Sequence, residues 1–210
     1  DQYGLKAGLA CSFGMEDMVL IDIIAKIKGP ITIFTLDTGR LHEETYEIME
    51  KVRSHYGLEI KTYFPNLEQV ENLVKKKGFF SFRESIENRK ECCAIRKIEP
   101  LNRALGELDA WVTGLRRDQA ITRTNTPKVL EDTDHPPLIK INPVADWTQE
   151  MVETYIEKHK VPVNALHKKN YPSIGCAPCT RPINAGEDIR AGRWWWENPE
   201  HKECGLHPRQ

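Results

Sequence analysis

Six cysteines stand at positions 11, 92, 93, 176, 179 and 204, and their spacing separates three kinds of chemistry. Cys92-Cys93 and Cys176-x-x-Cys179 supply four thiols from two distant segments, a donor set that suits zinc or an iron-sulfur cluster. Adjacent residues project in different directions on any regular backbone. Two neighbouring thiols on one zinc ion would close a strained small ring, whereas separate irons of one cluster can each take one. A 4Fe-4S cluster on Cys92, Cys93, Cys176 and Cys179 is the expected cofactor, with zinc or unliganded thiols as the alternatives. Cys11 lies in an apolar run and reads as core. Cys204 sits among His201, Lys202, His207 and Arg209, a setting that favours a nucleophilic thiolate; the alternative is an exposed cysteine with no role.

Two loops are shaped for anions. Ser12-Phe13-Gly14-Met15-Glu16-Asp17 follows a predicted strand and opens a helix, so a hydroxyl and backbone N–H groups face the positive helix end. The bland reading is a strand-to-helix turn capped by Ser12 or Asp17. Leu36-Asp37-Thr38-Gly39-Arg40 ends the next strand, and in a doubly wound sheet both loops border one crevice. Ser12, Gly14, Asp17, Thr38, Gly39 and, at the end of a later strand, Gly114 are therefore candidate substrate-binding positions. Basic residues gather by the thiols: Lys90, Arg96 and Lys97 near the first pair, Arg181, Arg190 and Arg193 after the second. Such clustering suits an anionic substrate, against the alternative of a solvated charged face. Trp194 to Trp196 read as a wedge that holds a tail on the core.

The elements that must position these residues follow from hydrophobic periodicity. Residues 5–13 read as a buried strand and the stretch to about Lys28 as a helix apolar nearly all round. A strand at 31–35, a helix at 42–56, a strand at 59–64 and a helix at 67–76 continue the alternation. The segment 84–105 reads as one charged helix, 110–113 and 138–142 as strands, and Thr148 as the cap of a helix to about Lys160. Residues 125–137, with three prolines, read as a surface loop. Repeated βα units predict an α/β fold, a doubly wound and mostly parallel sheet with helices on both faces. The expected division is a nucleotide-binding domain at 1–162 and a C-terminal segment at 163–210 that completes the site within the same domain.

Composition sets the outer limits. Forty percent hydrophobic and 29% charged residues allow a real core with a soluble surface, which excludes wholesale disorder. Thirty Lys plus Arg against 31 Asp plus Glu give a net charge of -1, so anion binding must come from local clustering and a nucleic-acid partner is not expected. The longest apolar run, 18–27, is interrupted by Asp22 and Lys26 and is too short to span a bilayer, and no signal-like start precedes it. A cytoplasmic protein is expected.

Seven segments in order resemble the assimilatory sulfonucleotide reductases, and among them the iron-sulfur adenosine 5′-phosphosulfate reductases: SFGMED at 12–17, LDTGRLHEET at 36–45, ECCAIRK at 91–97, TGLRRDQ at 113–119, SIGCAPCTRP at 173–182, GRWWWE at 192–197 and KECGLH at 202–207. The resemblance implies an adenine nucleotide alpha hydrolase-like fold. It implies that Cys92, Cys93, Cys176 and Cys179 ligate the cluster and that Lys97 lies between cluster and sulfate. Arg123, Arg190, Arg193 and His207 would hold the phosphosulfate, with Cys204 as nucleophile and thioredoxin or a similar protein as reductant. Met15-Glu16 replaces the lysine-bearing pair of ATP-using relatives, which argues against ATP hydrolysis and against the rival reading of an ATP pyrophosphatase in tRNA thiolation. A zinc-bound interaction module, the other rival, leaves the loops and Cys204 without purpose. A homo-oligomer is expected. Relatives carry a helical segment before the first strand, close to which this chain begins, and part of a subunit contact would lie there.

Overall fold

The computed structural model describes residues 6–119 and 123–198. Its strands are β1 (Ala7–Ala10), β2 (Ile31–Leu36), β3 (Ile60–Tyr63), β4 (Ala110–Val112), β5 (Val129–Glu131) and β6 (Ile139–Ile141). They form one sheet in the order β3-β2-β1-β4-β6-β5. All neighbours are parallel except β5 and β6. Leu9 is level with Ile33 on one side and Val112 on the other, so the chain's most apolar residues meet at the centre of the sheet.

The helices are α1 (Met15–Ile27), α2 (Glu43–Tyr56), α3 (Leu67–Lys77), α4 (Ile86–Cys93), α5 (Glu99–Leu105) and α6 (Gln149–His159). α1 is buried through Asp17, Met18, Val19, Leu20, Ile21, Asp22 and Ile24, as its all-round apolarity predicts. Its residues pack with Leu9, Ile33, Ile48 and Val52 in one core. Phe34, Trp111, Leu101, Ala104 and Leu105 form a second core under α5. Alternate residues of one strand supply the two cores, Ile33 one and Phe34 the other, as the period of two requires.

Two features depart from the sequence reading. The segment expected as a loop at 125–137 contains β5, an edge strand antiparallel to β6 with exposed Val129. Its prolines flank the strand and leave the ladder N–H groups intact. The predicted helix at 84–105 is interrupted: Ala94–Ile98, between α4 and α5, is a π-helical turn. Such a turn inserts extra chain into a helix and re-aims the side chains around it. Arg96 and Lys97 lie within it.

Candidate active site

The turn after β1 is built around an unusual backbone. Phe13 is fully buried with a left-handed φ of 61°, a conformation bulky residues rarely adopt. Asp17, in the first turn of α1, holds this turn by accepting from the Ser12 backbone N–H at 2.6 Å and the Ser12 hydroxyl at 2.8 Å. Burial, ahead of the nearby Glu16 charge, pushes the Asp17 carboxyl up to about 6. No side chain caps the start of α1, so its first N–H groups stay available to a ligand. Across the crevice, a Cβ on Gly114 would lie 2.5 Å from Asp17 Oδ1, so only glycine lets the loop after β4 pack this closely.

The ends of β1, β2 and β4 open on one cavity of about 810 Å³, the size class of small-ligand sites. Ser12, Gly14, Asp17, Thr38, Lys97, Gly114, Arg123, Arg190 and Arg193 all line it. These residues are spread over most of the sequence, and the switch in strand order between β2-β1 and β4 brings them together. Gly39 does not line the cavity. It takes a left-handed φ of 69° in the turn that brings its N–H to Asp37 Oδ1 at 2.8 Å.

Sequence reasoning missed Arg116, a fully buried member of the cavity wall. Its guanidinium bonds Glu16 at 2.8 Å and Gln149 at 2.6 Å, tying the first loop to α6. The signal was the Arg116-Arg117 pair directly after a predicted strand. His167, from a stretch without regular pattern, also lines the cavity, its Nδ1 set 2.9 Å from the Tyr171 carbonyl.

Cys92, Cys93, Cys176 and Cys179 line a second, smaller cavity. α4 carries the first pair, and a short turn, in which the Cys179 N–H donates to the Cys176 carbonyl at 2.9 Å, carries the second. Arg40, Arg89, Arg96, Lys97 and Arg193, with Trp194, complete the wall, a largely cationic shell around four sulfurs. Burial, with the neighbouring sulfurs adding to it, pushes the Cys179 thiol up to about 12. Four thiols from two segments are the donor set that a metal centre in this cavity would use.

Lys97, Cys176 and Arg193 belong to both cavities and form the partition between them. Arg193 is buried, donates to Ser173 Oγ at 3.2 Å and the Ile174 carbonyl at 3.0 Å, and stacks on Trp194 with 4.9 Å from guanidinium carbon to ring centre. Of the other basic residues singled out, Arg181 pairs with Glu187 at 2.9 Å, and neither it nor Lys90 lines either cavity. Trp194 is buried and Trp195 exposed, so one indole of the three wedges into the core. Cys11, on the first cavity's floor, is buried with its thiol pushed well up, first by burial. Cys204 and His207 lie outside the described residues.

The model of the phosphoadenosine phosphosulfate reductase domain matches residues 6–182. The adenosine 5′-phosphosulfate reductase of Allochromatium vinosum is 54% identical over 96% of this chain and 78% of its own length. The enzyme of the same name from Burkholderia cepacia is 50% identical over 96% of this chain and 80% of its own. Among solved structures, phosphoadenylyl-sulfate reductase of Candida auris in its phosphate complex superposes with a TM-score of 0.71 at 29% identity, covering 85% of this chain and 83% of that one. Candida glabrata FMN adenylyltransferase, at 14% identity and a TM-score of 0.58 over 98% of this chain and 70% of its own, shares the fold alone. No helix among the described residues is long and apolar enough to cross a membrane.

Proposed function

The chain belongs to the phosphoadenosine phosphosulfate reductase domain family, and from that premise we propose that it reduces adenosine 5′-phosphosulfate to sulfite and AMP. The reductant is a thioredoxin-like dithiol protein and the intermediate an S-sulfocysteine on Cys204. The observation that carries this reading is the partition: Lys97 and Arg193 face a nucleotide-sized cavity on one side and four thiols on the other. A nucleotide with its phosphosulfate against that wall meets fixed cations where charge must be held. The relatives named adenosine 5′-phosphosulfate reductase support the substrate.

Cys92, Cys93, Cys176 and Cys179 would hold a 4Fe-4S cluster. When bound, the cluster supplies an electrostatic and structural element beside the sulfate, within the shell formed by Arg40, Arg89 and Arg96. Ser12, Gly14 and the uncapped turn of α1 receive the nucleotide, and Asp17, Gly39 and Gly114 shape the loops. Arg123, Arg190, Arg193 and His207 hold the phosphosulfate, and Lys97 neutralises the sulfate as it is attacked. The Cys204 thiolate attacks the sulfur, an S–S bond forms, and the S–O bond breaks with its electron pair leaving on the AMP phosphate. One thiolate of the external dithiol then attacks Cys204 Sγ and expels sulfite, and its partner thiol closes the disulfide of the reductant.

In this reading the segment from residue 163 works as part of the same domain as 1–162. The enzyme acts in the cytoplasm as a homo-oligomer in assimilatory sulfate reduction toward cysteine. The test is sulfite formation with reduced thioredoxin, comparing adenosine 5′-phosphosulfate with its 3′-phosphorylated form. A clear preference in kcat/KM for the former is expected; a preference for the latter overturns the substrate assignment, and turnover of ATP in place of both overturns the reaction.

A further inference from the structure

A buried ion pair clamps Glu197 to the helix that carries the first two cysteines, and the scheme above gives Glu197 no role. Arg89 lies on α4, three residues before Cys92, and is 1% exposed. Its Nε and Nη2 donate to the two carboxylate oxygens of Glu197 at 2.8 and 2.9 Å, a two-pronged bond between residues 108 apart in sequence. The Glu197 side chain is 4% exposed. Arg89 also stacks on Trp194, with 4.8 Å between guanidinium carbon and ring centre, and the Trp194 backbone N–H donates to the Cys179 carbonyl at 3.0 Å. The clamp is thus anchored on both cysteine-bearing segments.

An ion pair this deeply buried gains little over an apolar pair of equal volume, because removing both charges from water offsets their attraction. What it provides is one defined position for Glu197. Cys204 lies seven positions further along the chain, a span of at most about 25 Å fully extended. Arg89 stands in the wall of the cysteine cavity, which shares Lys97 with the nucleotide cavity. The segment therefore starts next to the partition, and the local concentration of the Cys204 thiolate at the substrate depends on where it starts.

We propose that Arg89 and Glu197 are positioning residues for sulfur transfer: they fix the origin of the Cys204-bearing segment and thereby set how often the thiolate meets the substrate sulfur. The proposal rests on Cys204 being the nucleophile. Neither residue touches a reacting atom in the attack, in which the Cys204–sulfur bond forms, the sulfur–oxygen bond breaks and AMP leaves.

The test uses the cluster-loaded enzyme and its Glu197→Gln and Glu197→Ala variants, without reductant, in a single turnover of adenosine 5′-phosphosulfate. A roughly tenfold slower release of AMP is expected, with AMP affinity, the visible spectrum and alkylation of Cys204 by iodoacetamide each within about twofold, since none of these depends on where the segment starts. A merely structural role would move all four readouts together. AMP release at the unaltered rate in variants that keep the cluster overturns the clamp while leaving Cys204 as nucleophile. Absence of sulfonate on Cys204 in the unaltered enzyme overturns both. Should both variants lose the cluster, Gly-Ser insertions after Asn198 provide the second measurement, with the pair intact. AMP release should then fall with tether length, about threefold for eight added residues, and a rate indifferent to length overturns the proposal.

Discussion

The hydroxyl oxygen of Thr38 lies 3.3 Å from the sulfur of Cys176, although 138 positions separate them in the chain. Through this contact the loop at the end of β2 meets the cysteine cavity. Arg96 secures the same loop from the π turn by donating to the Thr38 carbonyl at 2.7 Å. The Ala177 N–H, donating to the Arg40 carbonyl at 2.8 Å, adds a third link. A change at the cysteines is therefore felt at the nucleotide loop.

Thr38→Val tests the link. The substitution keeps shape and removes both the contact to sulfur and the acceptor that the Arg40 N–H uses at 3.2 Å. The expected loss is about 1 to 2 kcal/mol of stability, with a several-fold fall in turnover. Urea unfolding of the cluster-loaded protein beside steady-state kinetics checks it; a variant unchanged in both removes the link from the account.

The parallel sheet, the two strand-end loops and the cysteine pairs were legible because each is encoded locally. β-branched runs such as Ile31 to Thr35 mark strands, and glycine with short polar residues marks the turns after them. β5 was hidden because three residues among prolines carry too short a pattern to be read as an edge strand. The π turn was hidden because helical periodicity does not report a change from i+4 to i+5 bonding. The Arg116–Glu16 and Arg89–Glu197 pairs join residues 100 and 108 positions apart, and nothing local to either residue names its partner.

Cys92→Ser and Cys179→Ser should each lose the cluster and nearly all sulfite formation together. The unaltered protein, purified anaerobically, should be brown with about four iron and four acid-labile sulfide per chain. Iron and sulfide analysis checks this, and stoichiometric zinc without sulfide contradicts the assignment.

Lys97→Ala should leave the cluster and the fold in place while lowering kcat about a hundredfold, the equivalent of ~3 kcal/mol of lost transition-state stabilisation. Because Lys97 lies in the partition, the visible spectrum and melting temperature serve as controls in the same preparation. Unaltered kinetics would take Lys97 out of the site.

Asp17 predicts a pH dependence of stability. Its carboxyl titrates at about 6 in the fold against 3.8 for an ordinary side chain, mainly because it is buried. Between those values the folded protein holds the proton and the unfolded chain does not, so this group lowers stability as pH rises from about 4 to 6, and the cost is complete above 6. Asp17→Asn should flatten that part of the profile, measured by denaturant midpoints across the window. A slope identical to that of the unaltered protein contradicts the assignment.

The most direct measurement mixes the cluster-loaded enzyme with adenosine 5′-phosphosulfate in the absence of any thiol reductant and maps the product by peptide mass spectrometry. The account predicts one AMP released per chain and one sulfonate on the peptide containing Cys204, removed as sulfite when reduced thioredoxin is added, with no adduct in Cys204→Ser. A sulfonate on another cysteine, or normal turnover by Cys204→Ser, would contradict it.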